Sequence, residues 1–272
     1  MKPPKADIPI IRDTLFRDHP WLAPLWHERP SPNHGPRTGG HAIDILLLHY
    51  TGMKNRESAL DRLCDPAAEV SCHYLIDEDG TIWNLVDENR RAWHAGEAFW
   101  AGSRDINSRS IGIELVNPGH EYGYRSFPAA QMNILAELAK DIMERHQIPR
   151  QRVLGHSDVA PQRKMDPGEL FDWAWLAARG IGVFPSFAAS APEIEPGLAL
   201  AEIGYEIGHN GPDTGTIIAF QRHFLADRLS GTLDTETCRR IAQVHAAMMG
   251  RVEEPEPLSD GEPPEEDPFP GR

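Results

Sequence analysis

Ile45-Leu46-Leu47-Leu48 is an unbroken apolar run that ends at His49-Tyr50-Thr51-Gly52. A run of this length without alternation is expected of a strand covered on both faces, here Ile43–Tyr50. A helix is expected over Glu57–Cys64. Val70–Asp77 and Thr81–Asp87 flank the turn Glu78-Asp79-Gly80 and read as a hairpin. In Ser110–Asn117, Ile111, Ile113 and Leu115 alternate with Gly112 and Glu114, the period of a strand. Met132, Leu135, Leu138, Ala139 and Ile142 form an apolar stripe on a helix over Pro128–Gln147. A last helix, about Glu169–Arg179, carries Phe171, Trp173 and Trp175 as core residues. The fold class is α/β, a central mixed β-sheet flanked by helices.

Beyond that unit the pattern changes. Residues 182–197 hold Pro185, Pro192 and Pro196 among small residues and read as a linker. Residues 198–250 are helical again, a small three-helix C-terminal domain. Residues 251–272 carry eight acidic and two basic residues and are expected to be disordered. Residues 1–40, rich in Pro and Gly, read as an irregular arm anchored by Trp21, Leu22 and Trp26. The α/β domain therefore occupies 41–181.

Composition narrows the class. The chain has 272 residues, 40% hydrophobic, with a net charge of −14. Nucleic-acid binding needs a basic footprint, which this charge argues against. No apolar segment is long enough to span a membrane. The N-terminus lacks the apolar stretch of a signal peptide. Cys64, Cys72 and Cys238 have spacings that suggest no disulfide framework. These cues point to the cytoplasm, with the periplasm as the alternative if a signal sequence precedes these residues.

The chemistry gathers in Gly155-His156-Ser157-Asp158-Val159-Ala160-Pro161-Gln162-Arg163-Lys164-Met165-Asp166-Pro167-Gly168. Imidazole, carboxylate and ammonium on one loop are the parts of zinc-assisted hydrolysis, where two protein nitrogens and a carboxylate leave a position open. Lys164 and Asp166 would face one side of an extended backbone, with the cation beside the metal. His49, at a strand exit, is either a binding group or a cap on the sheet edge. Glu114 lies mid-strand, opposite three aliphatic residues. It is a working carboxylate with a pKa raised by burial, or a solvent-facing Glu on an edge strand; Gly112 beside it favours the former.

Leu48-His49-Tyr50-Thr51, Val70 to Asp77, Ala92-Trp93-His94-Ala95-Gly96, Ser110 to Glu114 and Gly155 to Gly168 together resemble the type-two zinc-dependent N-acetylmuramoyl-L-alanine amidases. Those share a fold with peptidoglycan recognition proteins and phage amidase lysozymes. The resemblance covers roughly residues 43–179. It implies zinc held by His49, His156 and Asp166, Glu114 as the catalytic carboxylate and Lys164 as the stabiliser of the oxyanion. It places His73 and His94 near the groove, as substrate-binding residues or supports of the ligands. Phage-type members carry a catalytic Tyr immediately before the His of the His73 segment; here Cys72 stands there, as in the bacterial Glu-dependent branch. Cys72 is then a small buried residue or, as a thiolate, a metal contact. Residues 198–250 resemble the three-helix peptidoglycan-binding module appended to many such amidases, or form a helical cap without ligand affinity. The implied partner is peptidoglycan or a muropeptide fragment. The competing readings are a non-catalytic peptidoglycan-binding protein, which would not need Glu114 and Lys164, and a zinc hydrolase of another amide. Every residue so assigned precedes residue 182. Removal of 198–272 is therefore expected to leave hydrolysis of small soluble fragments nearly unchanged.

Overall fold

The computed structural model describes residues 20–250. Its strands are β1 (Trp26–Glu28), β2 (His34–Pro36), β3 (Ile45–Tyr50), β4 (Tyr74–Ile76), β5 (Ile82–Asn84), β6 (Arg90–Ala92), β7 (Ser110–Leu115) and β8 (Val153–Gly155). The main sheet runs β1-β5-β4-β7-β3-β8 and is mixed: β4 and β5 are antiparallel, the other neighbours parallel. β2 and β6 form a separate antiparallel pair. The helices are α1 (Arg56–Cys64), α2 (Ile106–Arg109), α3 (Gly119–Tyr122), α4 (Ala129–His146), α5 (His156–Val159), α6 (Trp173–Ala177), α7 (Pro196–Ile203), α8 (Thr214–Phe224) and α9 (Thr235–Met248).

The continuous apolar run of β3 has a direct use. Leu46 and Leu48 face one side and join Ile111, Ile113 and Leu115 of β7 against the α4 stripe of Met132, Leu135, Leu138, Ala139 and Ile142. Ile45 and Leu47 face the other side. There, with Leu154 of β8, they pack against Ala199, Leu200 and Ile203 of α7, Ala219, Phe220 and Phe224 of α8, and Ile241 and Val244 of α9. The three C-terminal helices thus cover a face of the sheet. α8 and α9 start alike: Asp213 and Asp234 accept from the backbone N–H of Thr216 and Thr237, satisfying donors that a helix start leaves unpaired. The segment leading to them is tied down. Arg240 stacks on Phe184 and Phe187 and donates to the Pro185 carbonyl, while Gln243 donates to Ala188.

Several expected elements are shorter or different. Residues 70–72 lie outside β4, where Ser71 bonds Trp93 and Asn33 instead. β5 ends at Asn84, because the next backbone N–H, that of Leu85, turns to the His73 carbonyl. Of the helix expected over 169–179, only Trp173–Ala177 forms; Gly168 (φ +90°) breaks the chain before it and Asp172 caps it through the Trp175 N–H. Phe171 and Trp173 are core residues as expected, and Trp175 is partly buried at the margin of that core. The N-terminal arm is not wholly irregular. A 3₁₀ turn, Pro20–Leu25, leads into β1 on the sheet edge, and Arg29 and Ser31 extend the pairing to Asn84 and Leu85. Three-residue strands are too short to show a period. Leu22 is buried and Trp26 packs on the core, while Trp21 is 51% exposed. Residues 1–19 and the acidic stretch 251–272 lie outside the described residues.

Candidate active site

Three adjacent parallel strands deliver the site. His49 is the penultimate residue of β3, Glu114 that of β7, and His156 follows β8 directly. The carboxyl ends of parallel strands are where α/β sheets place functional groups. Register brings His49 and Glu114 side by side, since they are direct partners in the β3–β7 ladder. Asp166 comes from the loop after α5, and its carbonyl accepts from the Ser157 N–H at 2.9 Å, which clips that loop back to His156.

His49 Nδ1 lies 2.9 Å from His156 Nδ1, and Asp166 Oδ2 lies 3.0 Å from each. All three residues are buried. Two nitrogens and a carboxylate oxygen converging in this way are a donor set for zinc. A zinc tetrahedron with bonds of about 2.0–2.1 Å has edges of roughly 3.3 Å, slightly wider than this triangle. The residues fit the ion. Burial pushes the His49 imidazole down to about 4, helped by His156, so it is neutral at pH 7, as a metal ligand must be. Burial alone would raise the Asp166 carboxyl, but the bonds to His156 and His49 hold it well below the usual carboxylate range.

The tautomers follow from what surrounds the rings. His156 Nε2 donates to the Ala95 carbonyl at 3.0 Å, leaving the Nδ1 lone pair for a metal. Asn107 Oδ1 accepts from the His94 and Ala95 N–H groups and holds that carbonyl in place. His49 is set by a longer relay. Ser110 donates its hydroxyl proton to Ile106 at 2.8 Å, so its oxygen accepts from His94 Nε2 at 3.2 Å. His94 Nδ1 therefore accepts from His49 Nε2 at 3.0 Å, and the His49 Nδ1 lone pair faces the triad. Burial and the neighbouring histidines hold the His94 imidazole well below its ordinary pKa, so it stays neutral. Gly112 clears room for this ring: a Cβ there would meet His94 Nδ1 at 2.6 Å. Partners of this kind typically tune metal affinity 10–100-fold, so His94→Phe should weaken zinc binding by about that factor in a chelator-competition titration. Unchanged affinity would mean that the relay does not orient His49.

The cleft beside the triad, about 330 Å³, is lined by Glu114, Lys164, His94, Trp93, Arg62 and Arg163 among others. Lys164 and Asp166 share this cleft. The chain turns just before Lys164, where the Arg163 and Lys164 N–H groups bond back to Ala160. Glu114 Oε2 is shielded from solvent and has no hydrogen-bond partner among the described residues. Burial, then the nearby Asp166 charge, push its pKa well above the usual carboxylate range. A carboxylate with one oxygen shielded and unpaired, on the wall of a cleft, has the properties of a general base.

His73 does not reach the cleft. Its Nδ1 accepts from the Gly112 N–H at 2.9 Å and its Nε2 bonds the Arg90 carbonyl at 3.1 Å, so it ties strands together. Burial, with Arg37 beside it, pushes its pKa down to about 3. Cys72 is buried, bonds the Tyr74 carbonyl and is not among the converging ligands; burial keeps its thiol protonated. The residues that sequence reasoning missed are supports: Asn107, Ser110, the Ala95 carbonyl and Asp158. A backbone carbonyl has no signature in a sequence.

Known proteins resemble this chain in sequence and in fold. The N-acetylmuramoyl-L-alanine amidase profile matches residues 39–169. The N-acetylmuramoyl-L-alanine amidase AmiD of Escherichia coli is 38% identical over 225 residues, 72% of this chain and 79% of that protein. The 1,6-anhydro-N-acetylmuramyl-L-alanine amidase AmpD of Haemophilus influenzae is 34% identical over 161 residues, 53% of this chain and 85% of its own. The structure of E. coli AmiD with the substrate anhydro-N-acetylmuramic acid-L-Ala-D-γ-Glu-L-Lys superimposes with a TM-score of 0.67 at 35% identity, covering 82% of this chain and 94% of that one. Pseudomonas aeruginosa AmpDh3 in complex with anhydromuramic pentapeptide gives a TM-score of 0.69 at 29% identity, over 81% and 98%. A profile match across residues 39–169 and 38% identity over 79% of E. coli AmiD mean that the chain belongs to the N-acetylmuramoyl-L-alanine amidase family.

Proposed function

We propose that the chain hydrolyses the amide between the lactyl group of N-acetylmuramic acid and L-alanine, with zinc held by His49, His156 and Asp166. The observation that carries this reading is Glu114: an unpaired, shielded carboxylate opening on the same cleft as a converging His-His-Asp set. When bound, zinc supplies Lewis acidity, polarising a carbonyl and acidifying a water. Glu114 takes the proton of the attacking water and later returns it to the leaving amine nitrogen. Burial raises its pKa above the ordinary carboxylate range, which makes it a better proton acceptor than an exposed carboxylate. Lys164 stabilises the negative charge that develops on the carbonyl oxygen; loss of one such donor in other enzymes costs on the order of 3 kcal/mol of barrier. His94 serves this cleft as the partner of His49 and as part of its wall. A pure binding protein would have no use for Glu114 and Lys164.

Arg62, Arg163 and Lys164 give the cleft a cationic wall, which suits a peptide bearing carboxylates. Two of the relatives are solved with single anhydro-muramoyl peptides, which favours soluble fragments as the substrate. No helix among the described residues is long and apolar enough to cross a membrane. Three unpaired cysteines suit a reducing compartment, and we place the enzyme in the cytoplasm on that ground. Mass spectrometry of products from an anhydro-muramoyl tetrapeptide and from insoluble wall, with and without chelator, tests the reading. Release of the intact peptide with a free L-alanine N-terminus, lost on chelation, is expected. Cleavage at another bond would overturn it.

A further inference from the structure

The ligand-bearing loop 155–169 does not stand alone; the C-terminal helices hold it at several points. Asp158, two residues after His156 and 1% exposed, accepts from the Tyr205 hydroxyl at 2.6 Å, from His223 Nδ1 at 2.8 Å and from the Gly155 N–H at 2.8 Å. Tyr205 follows α7 and His223 lies in α8. The His223 ring is stacked on Trp173 at 3.8 Å and on Phe224 at 3.8 Å, and its Nε2 has no partner among the described residues, so the bond to Asp158 is what its polar side serves. Farther along the loop, Gln162 donates to Asp213, the cap of α8, at 2.6 Å. Gly215 allows that approach, since a Cβ there would meet Gln162 at 2.5 Å. Glu169, three residues after Asp166, accepts from Arg222 of α8 at 3.2 Å. It also accepts from His120 Nε2 at 3.0 Å, and His120 Nδ1 in turn accepts from the Tyr50 hydroxyl at 2.9 Å, next to His49.

These ties sit on a shared core. Val159 and Ala160 of the loop, with Ile45, Leu47 and Leu154 of the sheet, are packed in one cluster with Tyr205, Phe220 and Phe224. A buried carboxylate accepting three hydrogen bonds has a fixed position, and two of its three donors come from the C-terminal helices. Loss of those donors would leave a buried charge underpaired, which the loop can relieve only by moving. A displacement at Asp158 reaches His156 within half a helical turn.

We propose that the C-terminal helices position the ligand-bearing loop, with Tyr205 and His223 as positioning residues acting through Asp158. This rests on the assignment of His156 and Asp166 as ligands. The helices then act on small substrates that never touch a polymer-binding surface, the reverse of what the position of the linker in the sequence suggests.

The test compares the full chain with the double variant Tyr205→Phe/His223→Leu, which keeps both side-chain volumes but removes both donors. Zinc affinity is read by chelator competition, kcat and KM on a soluble anhydro-muramoyl tetrapeptide, and folding by thermal melting. The double variant should melt cooperatively, bind zinc about 10–100-fold more weakly and lose kcat more than KM. His223→Asn, which places an amide donor where Nδ1 stood, should retain most of the affinity that His223→Leu loses. Wild-type zinc affinity and kcat in a cooperatively melting double variant would overturn the proposal. So would a loss confined to insoluble wall, which would make the helices a docking element only. If the double variant does not melt cooperatively, Tyr205→Phe alone, with the same ring in the core, is judged by the same criteria. Failure of the wild-type chain to cleave the tetrapeptide would count against the proposed reaction, whereas the zinc titration would still decide the positioning role.

Discussion

His156→Ala should abolish zinc binding and hydrolysis together. Three protein ligands are the usual minimum for a catalytic zinc, and the triad here has no fourth residue in reserve among the described ones. Alanine removes the Nδ1 ligand and also the donor to Ala95, so the loop loses a tie as well as a ligand. The remaining pair, His49 and Asp166, are still bonded to each other at 3.0 Å and can collapse into an ordinary buried hydrogen bond. Metal analysis after dialysis should fall from one zinc per chain to background, with turnover at the rate of the uncatalysed control. Full activity in metal-stripped wild-type protein would overturn the zinc assignment. A cooperative melt of the variant would show that the loss is one of ligation and not of fold.

Glu114→Gln should separate the metal from the chemistry. The amide keeps the side chain's volume and cannot accept the proton of an attacking water. One zinc per chain should remain while turnover falls by about 10²-fold or more, the range for loss of a general base. Zinc loss would instead make Glu114 a ligand. The metal-free protein offers a second readout. The folded-state pKa of Glu114 is raised, so the native state binds a proton more tightly than the unfolded chain does. Its contribution is favourable below the ordinary carboxylate range and is lost as the pH rises from there toward the raised value. The metal-free Gln variant should therefore melt above the metal-free wild type at neutral pH, with the gap closing as the pH falls to about 4. An equal gap at every pH would mean that the carboxyl is not shielded as its surroundings imply.

The readable part of this site lay in strands and in one dense loop. Period two along Ile111, Ile113 and Leu115 put Glu114 on the opposite face whatever the fold around it, and the structure places those three against α4 and Glu114 on the cleft side. The run Ile45–Leu48 announced a strand covered on both faces, but not that residues some 150 positions later provide one of the covers. His73 shows the limit from the other side. It sits in a matching segment, yet a backbone N–H and a carbonyl claim both its nitrogens, and no local pattern encodes which partners a fold will bring.

The amino-acid sequence by itself determined the apolar run of β3, the periodicity of β7 and α4, and the reactive side chains available. Those depend on neighbours within a few positions, where backbone geometry leaves few choices. Only the tertiary structure decided which histidines meet, which nitrogen of each ring is free, and that the C-terminal helices share a core with the sheet. His49 and His156 are 107 positions apart, and His223 and Asp158 are 65. Contacts over such separations are set by strand order, register and the packing of whole faces, and a linear pattern of residues carries that information only through the fold it specifies.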